Sequence, residues 1–357
     1  MTAWLASMGT LLGSLKGSPV MLPTVGVIPP SQCTPSESVG RKILEDQTYF
    51  TVTVNELFLR NGNKLWTTSL PTVLVVAEFT YGGSKTSVPG LVGPNLIKSQ
   101  TTMGVPNGLV LHDTTVLGPH PFRGGRLALT VVLYRVTNEN HARNVLQCVE
   151  SVGAAIGVPA DVAMLTKVGA AITDALGNLL KLNISEPLAG HRIELDADVY
   201  PGLVSSYFVV STDPQLDVSR LRVRSGRLFY VDDAGAEQKY AGADYVLYSL
   251  SGRDRRGNVS TLPFYGGAQE AINTAATPTD ESWTSAKALL LSTYLQMVRS
   301  DDLIGAEAEE LLVRFQKDME KRRDRGLRFK HLSAGGAKDG QTSANGHVGI
   351  ASKLMGL

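Results

Sequence analysis

The chain has 357 residues, with 34 Lys and Arg against 33 Asp and Glu and a formal net charge of +1. That balance excludes a global field able to recruit nucleic acid or an anionic membrane, so nucleic acid is not expected as a partner and any anion binding has to rest on a local patch. Two cysteines, Cys33 and Cys148, provide neither a disulfide framework nor a zinc-ligand spacing, and a reducing, cytoplasmic setting is the simplest expectation.

The first predicted element is a helical stripe in residues 1–15, where Trp4, Leu5, Met8, Leu11, Leu12 and Leu15 share one face. A secretory signal would need a basic start and a long apolar centre, and this segment has neither. Pro19, Pro23, Pro29, Pro30 and Pro35 follow, so residues 18–40 read as a linker and the folded body is expected to begin near Arg41. Strand-like runs rich in β-branched residues come next, at 49–59, 72–80, 109–116 and 127–136. Between the second and third of these, residues 82–108 hold so many Gly and Pro that a long loop is expected.

After Asn138 the period changes from two to ~3.6. Val149, Gly153 and Ile156 belong to one stripe, and Val162, Leu165, Val168, Ile172, Leu176 and Leu179 to a second, so a helical hairpin is expected over 138–182. Strand signals resume at 191–198, 204–211, 221–224, 227–231 and 245–250. Past Gly266 the pattern is helical again. Trp283, Ala286, Leu290, Tyr294 and Met297 line one helix, capped by Thr279 or Asp280, and Ala308, Leu311, Leu312, Phe315 and Met319 line its partner. Lys321, Arg322, Arg323 and Arg325 read as the basic end of that helix, and residues 332–357 as a disordered Gly/Ser-rich tail.

The fold class expected from this order is α+β. Its body is an antiparallel β-sandwich of about eight strands over 41–265, interrupted by a helical hairpin and followed by a C-terminal helical hairpin over 266–331.

No segment carries a catalytic or cofactor fingerprint. Tyr81-Gly82-Gly83-Ser84-Lys85-Thr86 lacks the Gly-Lys-Ser/Thr ending and the helix that a phosphate loop requires. The six histidines include no His-Glu-x-x-His pair, and His112 beside Asp113 reads as a surface histidine. Asp196 and Asp198 share one side of a strand end, where oxygen ligands collect a cation, but two ligands are short of the ~6 to 8 that calcium takes. The site candidate is the alternating run Arg220, Arg222 and Arg224, whose guanidinium groups are expected on one strand face opposite Leu221 and Val223. Such a row is easier to hold against a carboxylate or phosphate, and Arg253, Arg255 and Arg256 are candidates to extend it. A solvated edge that discourages strand aggregation is the plainer reading.

The short strands, long end loops and Asp196-x-Asp198 of residues 45–260 resemble the calcium-and-lipid-binding β-sandwich domains. That resemblance implies a sandwich with loop aspartates facing a cation, and only Asp196 and Asp198 match its pattern. Residues 280–325, opening Glu281-Ser282-Trp283, resemble the tails of uncharacterised bacterial proteins in multi-gene conflict or signalling modules. Together these readings lead to the expectation of a non-enzymatic adaptor or scaffold subunit in a bacterial assembly, with a protein partner and no cofactor. The rival expectations are a membrane-engaging or pore-forming effector, acting through 1–15 or 145–182, and an enzyme whose site is dispersed along the chain.

Overall fold

The computed structural model describes residues 24–35, 39–60, 70–81, 83–92, 111–136, 185–199 and 202–335. They form a mixed α+β protein with three open sheets and three α-helices. The chain divides into two compact units, Met1–Arg256 and Gly257–Leu357.

In the first unit the strands are β1 (Thr24–Ile28), β2 (Cys33–Thr34), β3 (Tyr49–Phe58), β4 (Leu70–Tyr81), β5 (Ser84–Val92), β6 (Leu111–Pro121) and β7 (Arg126–Val136). They continue as β8 (Ser185–Asp196), β9 (Ser206–Ser211), β10 (Leu221–Arg224), β11 (Arg227–Val231), β12 (Glu237–Lys239) and β13 (Tyr245–Arg253). One sheet has the order β1-β9-β13-β3-β6, a second β5-β4-β7-β8 and a third β12-β11-β10-β2. All pairings are antiparallel except that of β10 with β2.

The five-stranded sheet lies between two cores, and the period of two in its strands assigns side chains to them. Val246, Tyr248 and Leu250 of β13, with Phe208 and Val210 of β9, join the core shared with Val73, Val75, Leu129 and Val131 of the second sheet. The alternate residues Tyr245, Leu247 and Val209 join a different core, with Leu221, Val223 and Leu228 of the third sheet. Both faces of β3 are covered, for it is buried at nine of its ten positions, the polar Thr51, Asn55 and Glu56 included. The expected α+β class is met, and among the described residues the strands number thirteen in three open sheets rather than about eight in one sandwich.

Three boundaries differ from expectation. The Pro-rich segment is not a linker throughout, because β1 adds an edge to β9 and buries Ile28 completely. Just beyond it, Gln32 Nε2 donates to the Leu221 carbonyl at 2.9 Å and to the Ser219 carbonyl at 2.6 Å. Proline does not prevent this, since Pro29 and Pro30 lie between the strands rather than inside one. Part of the expected Gly/Pro loop is likewise a strand, β5, held in register from Tyr81↔Ser84 to Val73↔Val92. It occupies a sheet edge, where Pro89 costs no interior ladder bond, and its hairpin with β4 leaves no room for a phosphate loop's helix.

The third correction concerns the second unit, whose described residues form three α-helices rather than a hairpin: α1 (Tyr265–Thr274), α2 (Asp280–Val298) and α3 (Gly305–Gly335). Thr279 caps α2, its hydroxyl accepting from the Ser282 amide at 3.1 Å. The expected stripes pack inward, with Ala286, Leu290, Met297, Ala308, Leu311, Phe315 and Met319 buried against Ala268 and Ala271 of α1. Residues 332–335, expected in the tail, continue α3.

The expected hairpin at 138–182, the stripe at 1–15 and the tail from 336 onward lie outside the described residues. The flanks of the hairpin segment are neighbours, since β7 and β8 pair from Arg126↔Asp196 to Val136↔Ser185. Whatever joins them leaves and re-enters the same sheet side by side. Among the described residues no helix is long and apolar enough to cross a membrane.

Candidate functional site

The arginine run sits at the expected place, but its three members are held differently. Leu221 and Val223 are buried and Arg222 and Arg224 half-exposed, which is the strand alternation. Arg220 instead ends a 3-10 turn, Val218–Arg220, that leads into β10. Its Nε donates to the Val231 carbonyl at 2.8 Å, its guanidinium pairs with Asp233 at 2.8 Å, and the group stacks 4.7 Å above the Tyr230 ring. Arg224 forms a two-pronged pair with Glu237 of β12 and donates to Thr34 Oγ1 at 3.1 Å and to the Gln32 carbonyl at 3.3 Å. Arg222 donates to the carbonyls of Ser219 and Leu221 and, among the described residues, meets no carboxylate.

The predicted carboxylate partners thus come from the chain's own third sheet. Arg224 links β10 to β12, to Thr34 of β2 and to Gln32 just before it, a fork geometry that contributes more than an isolated surface pair. We expect Arg224→Gln to lower stability by about 1 to 2 kcal/mol and Arg222→Gln to change it by less than about 0.5 kcal/mol, as read by urea denaturation. Equal effects would show that the fork carries no tertiary role. Arg253 and Arg256 do not extend the row, for they turn to Thr51 Oγ1 at 2.9 Å and to the Pro119 carbonyl at 3.4 Å.

Asp196 is committed within its own turn. Its Oδ1 accepts from the Asp198 amide at 3.0 Å and its Oδ2 from Arg126 Nε at 2.9 Å. The amide bond first, and then the Arg126 pair, hold its carboxyl below the usual range. Among the described residues no group of three or more His, Cys, Asp or Glu side chains is placed to hold a metal ion.

Two buried polar clusters have no signal in the sequence. Glu56 of β3 is 2% exposed and accepts from the Leu228 amide of β11 at 2.7 Å, joining two sheets. Burial raises its pKa, against the Leu228 amide bond and the Tyr245 hydroxyl, which favour the charged form. Nearby, Asn55 Nδ2 donates to Asp113 Oδ1 at 2.9 Å and Arg227 donates to the Asn55 carbonyl at 2.7 Å. His112, read as a surface residue, pairs with Glu56 in the β3–β6 register. The second cluster spans the largest core, where the Tyr248 hydroxyl and His191 Nε2 share a hydrogen bond at 2.8 Å. His191 Nδ1 is buried and, among the described residues, has no hydrogen-bond partner, and burial depresses the imidazole pKa to about 4.

One shallow polar cleft of about 420 Å³ is lined by Arg60, Thr212, Asp213, Gly242, Ala243 and Asp244. Its polar groups already bond one another. Arg60 Nη1 donates to the Gly242 carbonyl at 2.9 Å, the Arg60 amide to Asp244 Oδ1 at 2.7 Å, and the Tyr240 hydroxyl to Asp213 Oδ2 at 3.1 Å. Burial pushes Tyr240 up to about 12, so it stays a neutral donor.

The remaining unusual surface is on α2. Its inner face is buried, yet Leu291 (60% exposed), Leu295 (47%) and Val298 (51%) stand out from it. With Ala288, also exposed, they fall at i, i+3, i+7 and i+10, the a/d spacing of a helix-pairing seam. Comparison of the chain with protein-family models, characterised proteins and solved structures found no significant match.

Proposed function

We propose that the chain is a non-enzymatic assembly subunit, an adaptor or scaffold whose sheets form a sandwich-like body and whose helical unit docks other subunits, the first of them a second copy of itself. The observation that carries this reading is the exposed seam Ala288, Leu291, Leu295 and Val298 on a helix whose opposite face is already buried. A heptad-spaced seam is best covered by another helix with the same spacing, and α2 itself is such a helix. The bonded state of the arginine run and of the Arg60–Asp244 cleft supports the non-catalytic half of the reading, since the polar groups converging there are used to hold segments together.

The seam spans the eleven residues from Ala288 to Val298, ~15 Å of helix. Alone it covers less than the ~1,200 Å² of a stable interface, so association is reversible and concentration-dependent. The test is sedimentation velocity on the full chain over a dilution series, beside Leu291→Glu/Leu295→Glu. The wild type is expected to shift from monomer toward dimer with concentration while the double variant stays monomeric. These side chains are exposed, so the variant keeps its melting temperature within a few degrees. A wild type that is monomeric throughout, or a double variant that dimerises equally well, refutes the seam.

A further inference from the structure

One end of the five-stranded sheet carries charges that the fold does not set against one another. In the order β9-β13-β3 the middle strand starts where its neighbours stop, with Tyr245 in register with Ser211 on one side and Phe58 on the other. The residues just beyond those ends therefore gather at one place. Arg60 comes from past β3, Thr212 and Asp213 from past β9, and Gly242, Ala243 and Asp244 from before β13, and together they line the cleft of about 420 Å³. That volume lies within the range of small-molecule sites.

The walls of the cleft are held in place. The Asp244 carbonyl accepts from the Thr212 amide at 2.9 Å, and the Thr24 hydroxyl of β1 donates to the Asp213 carbonyl at 2.6 Å. Both carboxylate oxygens of Asp213 are fixed, one by the Gln215 amide at 2.9 Å and the other by the Tyr240 hydroxyl at 3.1 Å. A Cβ on Gly242 would stand 3.1 Å from the Tyr240 ring, so the glycine lets that ring pack beneath the rim. Asp244 Oδ1 accepts from the Arg60 amide at 2.7 Å, and Arg60 reaches the Gly242 carbonyl through Nη1 at 2.9 Å.

Every one of these bonds runs to a backbone group or a hydroxyl. Among the described residues no ion pair joins Arg60 to Asp213 or Asp244, nor either carboxylate to another cation. Elsewhere in the same unit Arg41, Arg126, Arg220 and Arg224 each pair with a carboxylate. One guanidinium and two carboxylates thus share a cleft without neutralising each other. Such a site is complementary to a ligand with separated charges of its own. Phosphate or a nucleotide would meet two carboxylates for one cation, and a neutral zwitterion would leave one carboxylate unmatched. A molecule with one carboxylate and two cations matches all three groups.

We infer that this cleft binds a free basic α-amino acid, L-arginine or L-lysine. Its α-carboxylate pairs with the Arg60 nitrogens that Gly242 does not take, and its α-ammonium and side-chain cation pair with Asp213 and Asp244. The inference does not depend on the α2 seam, which belongs to the other unit. The shallow cleft leaves much of the ligand in water, so a dissociation constant of about 1 mM is expected.

The experiment is an amide NMR titration of the isotope-labelled full chain, near neutral pH and at fixed salt, with L-arginine, L-lysine, agmatine, Nα-acetyl-L-arginine and L-glutamate. L-arginine and L-lysine should shift the amides of Arg60, Thr212 and Ala243 saturably. Agmatine lacks the carboxylate and Nα-acetyl-L-arginine the α-cation, so each should bind at least ~10-fold more weakly, and L-glutamate should not bind. Arg60→Gln should weaken L-arginine at least ~10-fold while leaving agmatine as it is, whereas Asp244→Asn, which keeps an acceptor for the Arg60 amide, should weaken both. Arg222→Gln should bind as wild type does, and melting temperatures within a few degrees of wild type check the fold of each variant. L-arginine that gives no saturable shift or shifts only amides away from the cleft, agmatine or L-glutamate that binds as well as L-arginine, or an Arg60→Gln variant that binds L-arginine as wild type does overturns the inference.

Discussion

Gly118→Ala is expected to cost about 3 kcal/mol or more, out of proportion to one added methyl. Gly118 lies in β6 with φ at +91°, beside the place where the β3–β6 register slips between Phe50 and Val52. A Cβ there would sit 2.5 Å from the Phe50 carbonyl oxygen and 3.1 Å from the Thr51 Cα, both backbone atoms of the neighbouring strand. The strand has nowhere to go, because Phe50 is fully buried and packs edge-on to Phe79 at 4.9 Å. Gly125 provides the control. Its φ is +71°, yet a Cβ on it would have nothing within 4 Å, so Gly125→Ala should show only the left-handed backbone cost of ~1 to 2 kcal/mol. Equal losses in the two variants, by urea denaturation at one temperature, would show that the close approach of β3 and β6 contributes nothing.

The second large effect is acid sensitivity from the His191–Tyr248 pair. The unfolded chain takes up a proton on His191 near 6.5, the folded one only near about 4. Between those values the unfolded state binds more protons, so stability falls as pH falls through that window. The span corresponds to ~3 kcal/mol at ~1.36 kcal/mol per pH unit. Glu56 works in the opposite direction. Its raised pKa means that stability present below its ordinary value of 4.5 is lost as pH rises through the folded value. His191→Phe/Tyr248→Phe removes both polar partners from the core at once, which avoids leaving an unpaired hydroxyl. We expect wild type to lose stability from about pH 6.5 to about pH 4.5, and the double variant to lose that acid slope and keep only the opposing effect of Glu56. Parallel profiles for the two proteins would place the acid sensitivity elsewhere.

What is legible in the sequence follows from which signals are local. β3, β4, β7, β9 and β13 announce themselves through runs of Val, Leu, Thr and Tyr, and the inward stripes of α2 and α3 through their period. β1 and β5 are hidden by Pro and Gly, because edge strands tolerate residues that interior strands exclude. β12, Glu-Gln-Lys with every side chain exposed, has no pattern to read. The alternation of Arg222 and Arg224 is readable, but their partners are not: Glu237 meets Arg224 across a strand, and no spacing along the chain encodes that. Glu56 and His191 look like ordinary polar residues until their sheets are stacked. The same limit hides the α2 seam. Leu289, Leu290 and Leu291 run consecutively around the helix, and only the packed unit shows that Leu290 is buried while Leu291 faces out. In α3 the basic cluster reads as a terminus only if the helix stops near 331, whereas its backbone continues through the small residues Ser333 and Ala334 to Gly335.

The central claim, that the α2 seam joins two copies of the chain, is tested most directly by cross-linking an equal mixture of isotope-labelled and unlabelled protein with a lysine-reactive reagent. Lys287 is exposed immediately beside Ala288 at the start of the seam. Mixed-label peptides joining Lys287 of one copy to Lys287 of the other are the predicted result, and Leu291→Glu/Leu295→Glu should abolish them. Mixed-label links that avoid α2 altogether, or Lys287 links unchanged in the double variant, would contradict it.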